Sequence, residues 1–198
     1  MLKEVHHRVK NNLQLIGSLL NLQAARVDDP AIAALFDESR NRVRSMALVH
    51  ENLYRAGNFA RIPMSSHIQS LCAQLSSAYG INTRGVQVDT QVDDLHLDLN
   101  RAVSCGLIIN ELVSNAMKHA FPNGREGNVL VEFKLLNDKR YSLTVRDDGI
   151  GLPPGFDPSR SESLGLQLVQ DLSDQLQGTL VADPARPGTK FTLVFAGE

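Results

Sequence analysis

Apolar residues in the first part of the chain recur at intervals of three and four, which predicts a long amphipathic helix. They are Leu2, Val5, Val9, Leu13, Ile16 and Leu20. The stretch DDP at 28–30 ends the pattern, with Asp29 as a candidate N-cap and Pro30 in the first turn of a second helix that ends near Gly57. Two long helices joined by a short loop predict an antiparallel hairpin with one apolar face. Because such a hairpin has little core of its own, we expect it to pair with a second copy into a four-helix bundle, which would make a homodimer.

From about residue 64 the pattern becomes a mixture of helices and strands. Helices are predicted at 65–79, 100–120 and 164–177, the last with Gly178 as its C-cap. Strands are predicted at 86–92, 128–136, 141–147, 179–183 and 189–195. This order predicts a helical layer on a mostly antiparallel sheet, an α+β sandwich. We therefore divide the chain into two predicted domains, residues 1–60 and residues 61–198.

Composition narrows the class of protein. A hydrophobic share of 42% supports a core, and a formal net charge of -2 argues against a nucleic-acid-binding surface. No apolar run approaches the roughly 18 residues of a membrane span, and the polar start is unlike a secretory signal. Cys72 and Cys105 fall in helical stretches without metal-ligand spacing, which argues against a disulfide scaffold. We expect a cytoplasmic protein with no membrane segment in these residues.

The stretch NELVSNAMKHAF, 110–121, places four polar side chains on one face of a predicted helix. The amide oxygen of Asn115 can bind Mg²⁺, with Glu111 as a second candidate ligand. Lys118 and His119 can contact phosphate oxygens. Taken alone, the pattern also fits an ordinary solvated helix face.

Two glycine-containing stretches follow. In VRDDGIGLP, 145–153, a strand ends at Asp147, which can accept a hydrogen bond from an exocyclic amine such as adenine N6. Gly149 and Gly151 then allow a sharp turn and a close approach to a ligand. In SLGLQLV, 163–169, Gly165 stands where a loop becomes a helix, whose free N–H groups can bind phosphate. A fourth stretch, GTKF at 188–191, enters the last strand. Each stretch alone also fits a plain turn or loop.

Together, and in this order, the four stretches resemble the ATP-binding domain of the GHKL superfamily, which comprises gyrase, the heat-shock chaperone ninety, histidine kinases and MutL. The resemblance covers roughly residues 65–196. It implies a Bergerat α/β sandwich that binds ATP and Mg²⁺, with Asn115 as the N-box metal ligand and Asp147 as the adenine-binding acid. The loop between the glycine boxes is short, and Phe156 is its one candidate for the phenylalanine box. The remaining cofactor-binding residues implied are Lys118, His119, Gly149, Gly151, Leu164, Gly165, Leu166 and Thr189.

The first 56 residues resemble the dimerisation and histidine-phosphotransfer domain of sensor histidine kinases. The box HHRVKNNLQ looks like that of the HRxxN-box kinases related to the HWE group, and His119 agrees with that relation. The chain has no Trp and so lacks the WxE element of the HWE group, which makes a sister family the better description. The resemblance implies autophosphorylation on histidine and phosphotransfer to an aspartate of a response-regulator receiver domain. It also implies input from an upstream sensor domain or sensor protein, because no sensor domain is recognisable here.

Helix geometry separates the two adjacent histidines of this box. His7 points roughly 160° away from the stripe centred on Val9, whereas His6 is only about 60° from it. A phosphoacceptor must be exposed, and the common histidine-kinase box places apolar residues where Val9, Leu13 and Ile16 stand relative to His7. His7 is therefore the predicted phosphoacceptor, with His6 as the alternative.

Four neighbours of His7 are candidate helpers. Arg8 stands where many histidine kinases have an acidic residue, and Glu4, one turn earlier, is a candidate substitute for that acid. Arg8 and Lys10 can attract the γ-phosphate, and Asn11 can orient a water for dephosphorylation of the partner.

Two other functions are open on the sequence. One is a GHKL ATPase or an anti-sigma-type serine kinase with Glu111 as general base. The other is a phosphotransfer or scaffold protein that uses His7 and has a degenerate ATP domain.

Overall fold

A computed structural model of the chain describes residues 2–29, 32–33, 35–36, 39–40, 42–43, 46–47, 61–78, 85–153, 156, 163–183 and 187–197. Side chains 2–7, 10 and 78 lie outside this description. The chain divides into two compact units, Met1–Phe59 and Ala60–Glu198. None of the described helices is long and apolar enough to cross a membrane.

The first unit is helical wherever it is described beyond residue 31. Helix α1 spans Leu2–Ala24, and the second helical segment includes the described residues between 32 and 47. The Ala33 N–H donates to the Asp29 carbonyl oxygen at 2.9 Å, as expected if Asp29 caps the second segment. Arg40 Nη1 donates to Asn21 Oδ1 at 2.8 Å and so joins the second segment to α1.

The described side chains of the first unit are all at least partly exposed. Leu15, Leu19 and Leu22 form one row along α1 and are 60%, 53% and 59% exposed. These leucines lie outside the predicted stripe, so the apolar surface of α1 is wider than that stripe. A surface of this kind is stable in water when another helical surface covers it.

The second unit contains three α-helices, a π-helical turn, a 3₁₀ turn and seven strands among its described residues. The helices are α2 (Met64–Ala78), α3 (Leu99–Asn115) and α4 (Leu164–Gln175). The strands are β1 (Ile62–Pro63), β2 (Val86–Val92), β3 (His96–Leu97), β4 (Gly127–Leu135), β5 (Arg140–Asp147), β6 (Thr179–Asp183) and β7 (Thr189–Ala196). Strands β1 and β3 form a small antiparallel pair. The main sheet has the order β2-β4-β5-β7-β6, in which β2 runs parallel to β4 and the other neighbours are antiparallel.

Alternate residues of the main sheet form the core under the helices, because successive strand side chains point to opposite faces. Phe133, Tyr141 and Phe195 meet there, with ring centroids 5.6 to 6.3 Å apart. Helix α2 packs on β2, α3 on β5 and α4 on β6. The chain thus has a helical unit followed by a unit in which helices pack on a mostly antiparallel sheet. This confirms the predicted fold class, helices followed by an α+β sandwich.

The C-terminal end of α4 differs from the prediction by one residue. Gln177 has the left-handed conformation, with φ 53, whereas Gly178 does not. The Gly178 N–H donates to the Ser173 carbonyl oxygen at 2.9 Å, which is the six-residue bond of a Schellman motif. Gly178 is required for a different reason: a Cβ there would lie 2.6 Å from Leu193 Cδ1. The glycine permits close packing on β7, and Gln177 is the C′ residue.

Candidate functional site

Helix α3 delivers the first polar group of the site. Asp98 caps its N-terminus by accepting hydrogen bonds from the Asn100 and Arg101 N–H groups at 2.9 and 3.1 Å. The helix is buried along most of its length and ends at Asn115, which is half-buried. The sequence predicted one helix over 100–120, but a π-helical turn spans Ala116–Ala120. Such single turns are frequent at functional sites.

The π turn changes which side chains face the same way as Asn115. A π turn holds about one residue more than an α turn, so each residue rotates the chain less. His119, four residues after Asn115, therefore stays nearly above it, while Lys118 stops well short of a full turn. Both side chains are exposed, and His119 alone of the two is among the described residues that line the pocket.

Strand β5 delivers the carboxylate. Asp147 and Val145 lie on the same face of the sheet as their β7 partners Thr189 and Phe191. Asp147 Oδ1 accepts the Gly149 N–H at 2.9 Å and the Thr189 N–H at 3.3 Å. These two bonds fix the carboxylate between the loop after β5 and the start of β7.

Glycines let three backbone segments meet around Asp147. A Cβ on Gly188, which has φ +94, would lie 1.8 Å from the Asp147 carbonyl oxygen. A Cβ on Gly149 would lie 2.4 Å from both Cβ and the carbonyl oxygen of Ala120, at the end of the π turn. The loop after β5 is therefore in direct contact with both β7 and the π turn, which no residue with a side chain would allow.

These elements enclose one pocket of about 710 Å³ within the second unit. That volume lies in the range of small-molecule sites, about 300–1,000 Å³. Its described lining residues are Leu112, Asn115, Ala116, His119, Ala120, Val145, Asp147, Ile150, Gly151, Leu152, Pro153, Phe156, Ser163, Leu166, Thr189 and Phe191. Most of these are apolar, and the polar groups of Asn115, His119, Asp147, Ser163 and Thr189 interrupt them.

The electrostatics of the pocket centre on Asp147, which is 7% exposed. Burial raises the pKa of its carboxyl, the backbone N–H groups of Gly149 and Thr189 lower it, and the charge of Asp148 raises it again; the net pKa is above the ordinary value. An ionised Asp147 is an acceptor only, so a ligand that reaches it must present a hydrogen-bond donor.

Six of the residues predicted to bind a cofactor line the pocket. They are Asn115, His119, Asp147, Gly151, Leu166 and Thr189. Lys118, Gly149, Leu164, Gly165 and Glu111 are not among the described lining residues. Of these, Gly149, Gly165 and Glu111 are buried, and Leu164 is 56% exposed.

The structure describes less of the predicted phosphoacceptor region. Arg8 and Asn11 are exposed on α1. The side chains of Glu4, His6, His7 and Lys10 lie outside the described residues, so their predicted roles stay predictions.

The apolar walls of the pocket are what the sequence reasoning missed. Val145 and Phe191 form a cross-strand pair on the same face as Asp147 and Thr189. In each of the two predicted strands, this apolar residue stands two positions from a polar site residue, Asp147 or Thr189. That spacing indicates that the apolar and the polar residue share one face of the sheet. Phe156, the candidate for the phenylalanine box, does line the pocket.

Comparisons with known proteins agree with this arrangement. A family profile described as "Histidine kinase" matches residues 4–79, and one described as "Histidine kinase-, DNA gyrase B-, and HSP90-like ATPase" matches residues 100–197. The chain is 36% identical over 195 residues to "Sensor histidine kinase PdtaS" of Mycobacterium tuberculosis, covering 97% of this chain and 38% of that protein. It is 28% identical over 193 residues to "Blue-light-activated histidine kinase 2" of Erythrobacter litoralis, covering 95% of this chain and 54% of that protein.

A solved structure supports the fold. The histidine kinase domain from the Erythrobacter litoralis EL346 blue-light activated histidine kinase superposes with a TM-score of 0.70 at 23% identity, covering 92% of this chain and 95% of that one. The chain spans between a third and about half of the length of the two curated relatives. With both profiles in the expected order, the chain belongs to the histidine kinases, and its second unit is an ATP-binding domain of the GHKL superfamily.

Proposed function

We propose that this chain is the catalytic core of a two-component sensor histidine kinase, which binds Mg²⁺-ATP in the pocket and phosphorylates its own histidine. One observation carries the proposal: Asn115 and His119, near the end of α3, line one mostly apolar pocket together with Asp147, which lies at the end of β5. A flat base with an exocyclic amine and a charged polyphosphate tail matches that combination of walls and polar ends.

The base end of the pocket lies around Asp147. Val145 and Phe191 offer an apolar surface to the face of a purine, and Asp147 accepts a hydrogen bond from its amino group. Because Asp147 Oδ1 already accepts two backbone N–H groups, its geometry is set before the ligand arrives. Pre-set polar groups of this kind provide specificity at small ordering cost.

The phosphate end lies at the end of α3 and the start of α4. His119 can donate to a phosphate oxygen, and the first turn of α4, which contains Gly165, presents free N–H groups. The amide oxygen of Asn115 is a hard ligand that suits Mg²⁺, which binds through one or two protein oxygens together with phosphates and water. Glu111, one turn earlier on α3, is the second candidate. The bound metal would supply neutralisation of phosphate charge.

The acceptor is His7 on α1. A neutral imidazole nitrogen attacks the γ-phosphorus with its lone pair, the bond from the γ-phosphorus to the β,γ-bridging oxygen breaks, and ADP leaves. The pKa of an unperturbed histidine, about 6.5, leaves much of the imidazole neutral near pH 7. Arg8 and Lys10 attract the γ-phosphate, and Glu4 accepts or orients the imidazole proton. Asn11 orients a water that hydrolyses the aspartyl phosphate of the partner.

The partners follow from the same chemistry. The phosphoryl group passes from His7 to an aspartate of a response-regulator receiver domain. The exposed leucine row of α1 pairs with a second copy, so that the working form is a homodimer in the cytoplasm that takes its input from a sensor domain or sensor protein. The function and partners of the whole protein are part of this proposal.

The test is autophosphorylation with ATP labelled at the γ-phosphate, followed by residue mapping. We expect an acid-labile, base-stable label that is lost in His7→Gln and retained in the matched variant His6→Gln. Labelling of His7→Gln as strong as that of the unsubstituted protein excludes His7, and retention of Mg²⁺-ATP binding by Asn115→Asp excludes the N-box role.

The same experiment separates the alternatives. Steady release of phosphate without protein label indicates a GHKL ATPase, and a label on serine indicates a serine kinase. A thermal-shift measurement with ATP and Mg²⁺ tests whether the ATP site is degenerate, because a ligand that binds the native state must raise its melting temperature. An unchanged melting temperature indicates a phosphotransfer or scaffold protein.

A further inference from the structure

The residue after Asp147 is engaged by a separate segment of the chain. The Asp148 N–H donates to the Asn128 carbonyl oxygen at 3.2 Å, and Asp148 Oδ1 accepts the Asn128 N–H at 2.7 Å. Arg125 Nη2 donates to the Asp148 carbonyl oxygen at 2.9 Å. Three of the polar groups of Asp148 are therefore bound by Asn128, at the start of β4, and by Arg125, which precedes that strand.

The half-buried side chain of Asp148 packs over Gly127. A Cβ on Gly127 would lie 2.5 Å from Asp148 Oδ1 and 2.2 Å from Phe121 Cε1, so the carboxylate and the ring occupy the space over that glycine. On the other side, Gly149 packs on Ala120, and the Ile150 N–H donates to the Ala120 carbonyl oxygen at 3.0 Å. The loop after β5 is thus held between the start of β4 and the end of the π turn.

This arrangement links the two ends of the proposed nucleotide site. Asp147 precedes the loop, and the π turn on which the loop rests contains His119 and follows Asn115. Asp148 itself is not among the described lining residues of the pocket. Any effect of Asp148 on a ligand must therefore act through the position of its neighbours.

We infer that Asp148 is a positioning residue that aligns the Asp147 carboxylate with the 6-amino group of adenine, and that Arg125 supports it. The inference rests on the proposed function. It predicts that loss of the Asp148 contacts weakens recognition of the amino group in particular, rather than nucleotide binding in general.

The readout is the affinity ratio of two ligands, ATP and purine riboside 5′-triphosphate, which lacks the 6-amino group. One hydrogen bond to a buried charged group corresponds to a preference for ATP of about tenfold or more. We expect this preference in the unsubstituted protein and its loss in Asp148→Ala. Because both ligands bind only the folded protein, a merely structural defect lowers stability without changing the ratio.

Asp148→Asn separates position from charge. The asparagine keeps an oxygen that accepts the Asn128 N–H and removes the negative charge that acts on Asp147. We expect the preference for ATP to be retained in this variant. Asp94→Ala, which removes an exposed carboxylate in the loop between β2 and β3, is the matched control and should keep the full preference.

The outcomes are distinct. A preference in Asp148→Ala equal to that of the unsubstituted protein overturns the inference, and so does its loss in Asp148→Asn. If Asp148→Ala does not fold, Arg125→Ala, at an exposed position, is measured in its place. A reduced preference of Arg125→Ala for ATP supports the inference, and an unchanged preference overturns it. Failure of the unsubstituted protein to bind ATP at all refutes the proposed function itself, and this is visible before any variant is made.

Discussion

Replacing Gly188 with alanine should disable the nucleotide pocket. Gly188 has φ +94, and a Cβ there would lie 1.8 Å from the Asp147 carbonyl oxygen, a backbone atom in the neighbouring strand. A comfortable carbon–oxygen contact is about 3.3–3.6 Å. The start of β7 must therefore move away from the end of β5 by about 1.5 Å.

The expected losses follow from that displacement. The left-handed conformation costs a non-glycine residue about 1–2 kcal/mol, and forced overpacking adds about 1–3 kcal/mol, so the free energy of unfolding should fall by about 2–5 kcal/mol. The displacement also stretches the Thr189–Asp147 bond, already 3.3 Å long, and moves the carboxylate. Loss of the aligned hydrogen bond to a charged carboxylate costs about 1.5–3 kcal/mol, which corresponds to a roughly 10- to 100-fold weaker affinity for ATP.

A second glycine provides the control. Gly124 has φ +73, but a Cβ there would lie more than 4 Å from every neighbouring atom of the described part of the chain. Gly124→Ala therefore has the backbone cost of about 1–2 kcal/mol without the collision, and it should bind ATP normally. The affinity for Mg²⁺-ATP is measured by calorimetry at low temperature, where both variants are folded, and the stability by urea denaturation.

The comparison of the two variants tests the reasoning directly. If Gly188→Ala binds ATP as tightly as Gly124→Ala and loses no more stability, the close approach of β7 to Asp147 does not organise the site. A loss of stability without a loss of affinity would contradict the link between the turn and the pocket.

Three further predictions concern single residues. Gln177→Gly should stabilise the protein by about 1 kcal/mol because glycine adopts the left-handed conformation without strain. Gly178→Ala should destabilise the protein because its Cβ would collide with Leu193. Equal effects of the two substitutions in urea denaturation would refute the assignment of Gln177 as the C′ residue. Asp147→Asn should stabilise the ligand-free protein at pH values above the raised pKa of Asp147, because the native state of the unsubstituted protein then holds an ionised buried carboxylate. At pH values below the ordinary pKa of an aspartate, the substitution should give no such gain. Melting curves at several pH values check this, and an equal gain at all of them contradicts it. His67 is buried, neither of its ring nitrogens has a hydrogen-bond partner among the described residues, and burial lowers its pKa to about 4. Because the unfolded chain binds a proton on His67 more readily than the native state does, the free energy of unfolding should fall by about 3 kcal/mol as the pH is lowered from about 6.5 to the lowered pKa. His67→Leu should remove this contribution to acid denaturation. Identical profiles of stability against pH for the two proteins would refute the prediction.

The regular elements were largely predictable from the sequence. Strand β2 has its predicted bounds, Val86–Val92, because alternation over seven residues is a local property. The short strands β1 and β3, each of two residues, were not predictable, since two residues have no period. Helix α3 ends at Asn115, five residues before the end of the predicted helix. The π turn that follows accepts the Ile150 N–H at the Ala120 carbonyl oxygen, a long-range contact that no local pattern contains.

The sequence predicted the kinds of functional group in the candidate site better than it predicted which residues line the pocket. Asn115, Asp147 and Gly151 could be identified because residue type and turn chemistry suggest their roles, and all three line the pocket. Lys118 was grouped with His119 on the assumption of continuous α-helical spacing, which the π turn breaks.

The sequence by itself determined the elements, the turn residues and the kinds of functional group available, because these depend on neighbours within a few positions. Only the tertiary structure decided which groups meet. Asp147 and Thr189 stand 42 positions apart and are joined by a hydrogen bond because β5 and β7 are neighbours in the sheet. The same pairing brings Gly188 onto the Asp147 backbone and Phe191 beside Val145. Sheet order and close backbone approach are properties of the whole packed unit, and no local pattern contains them.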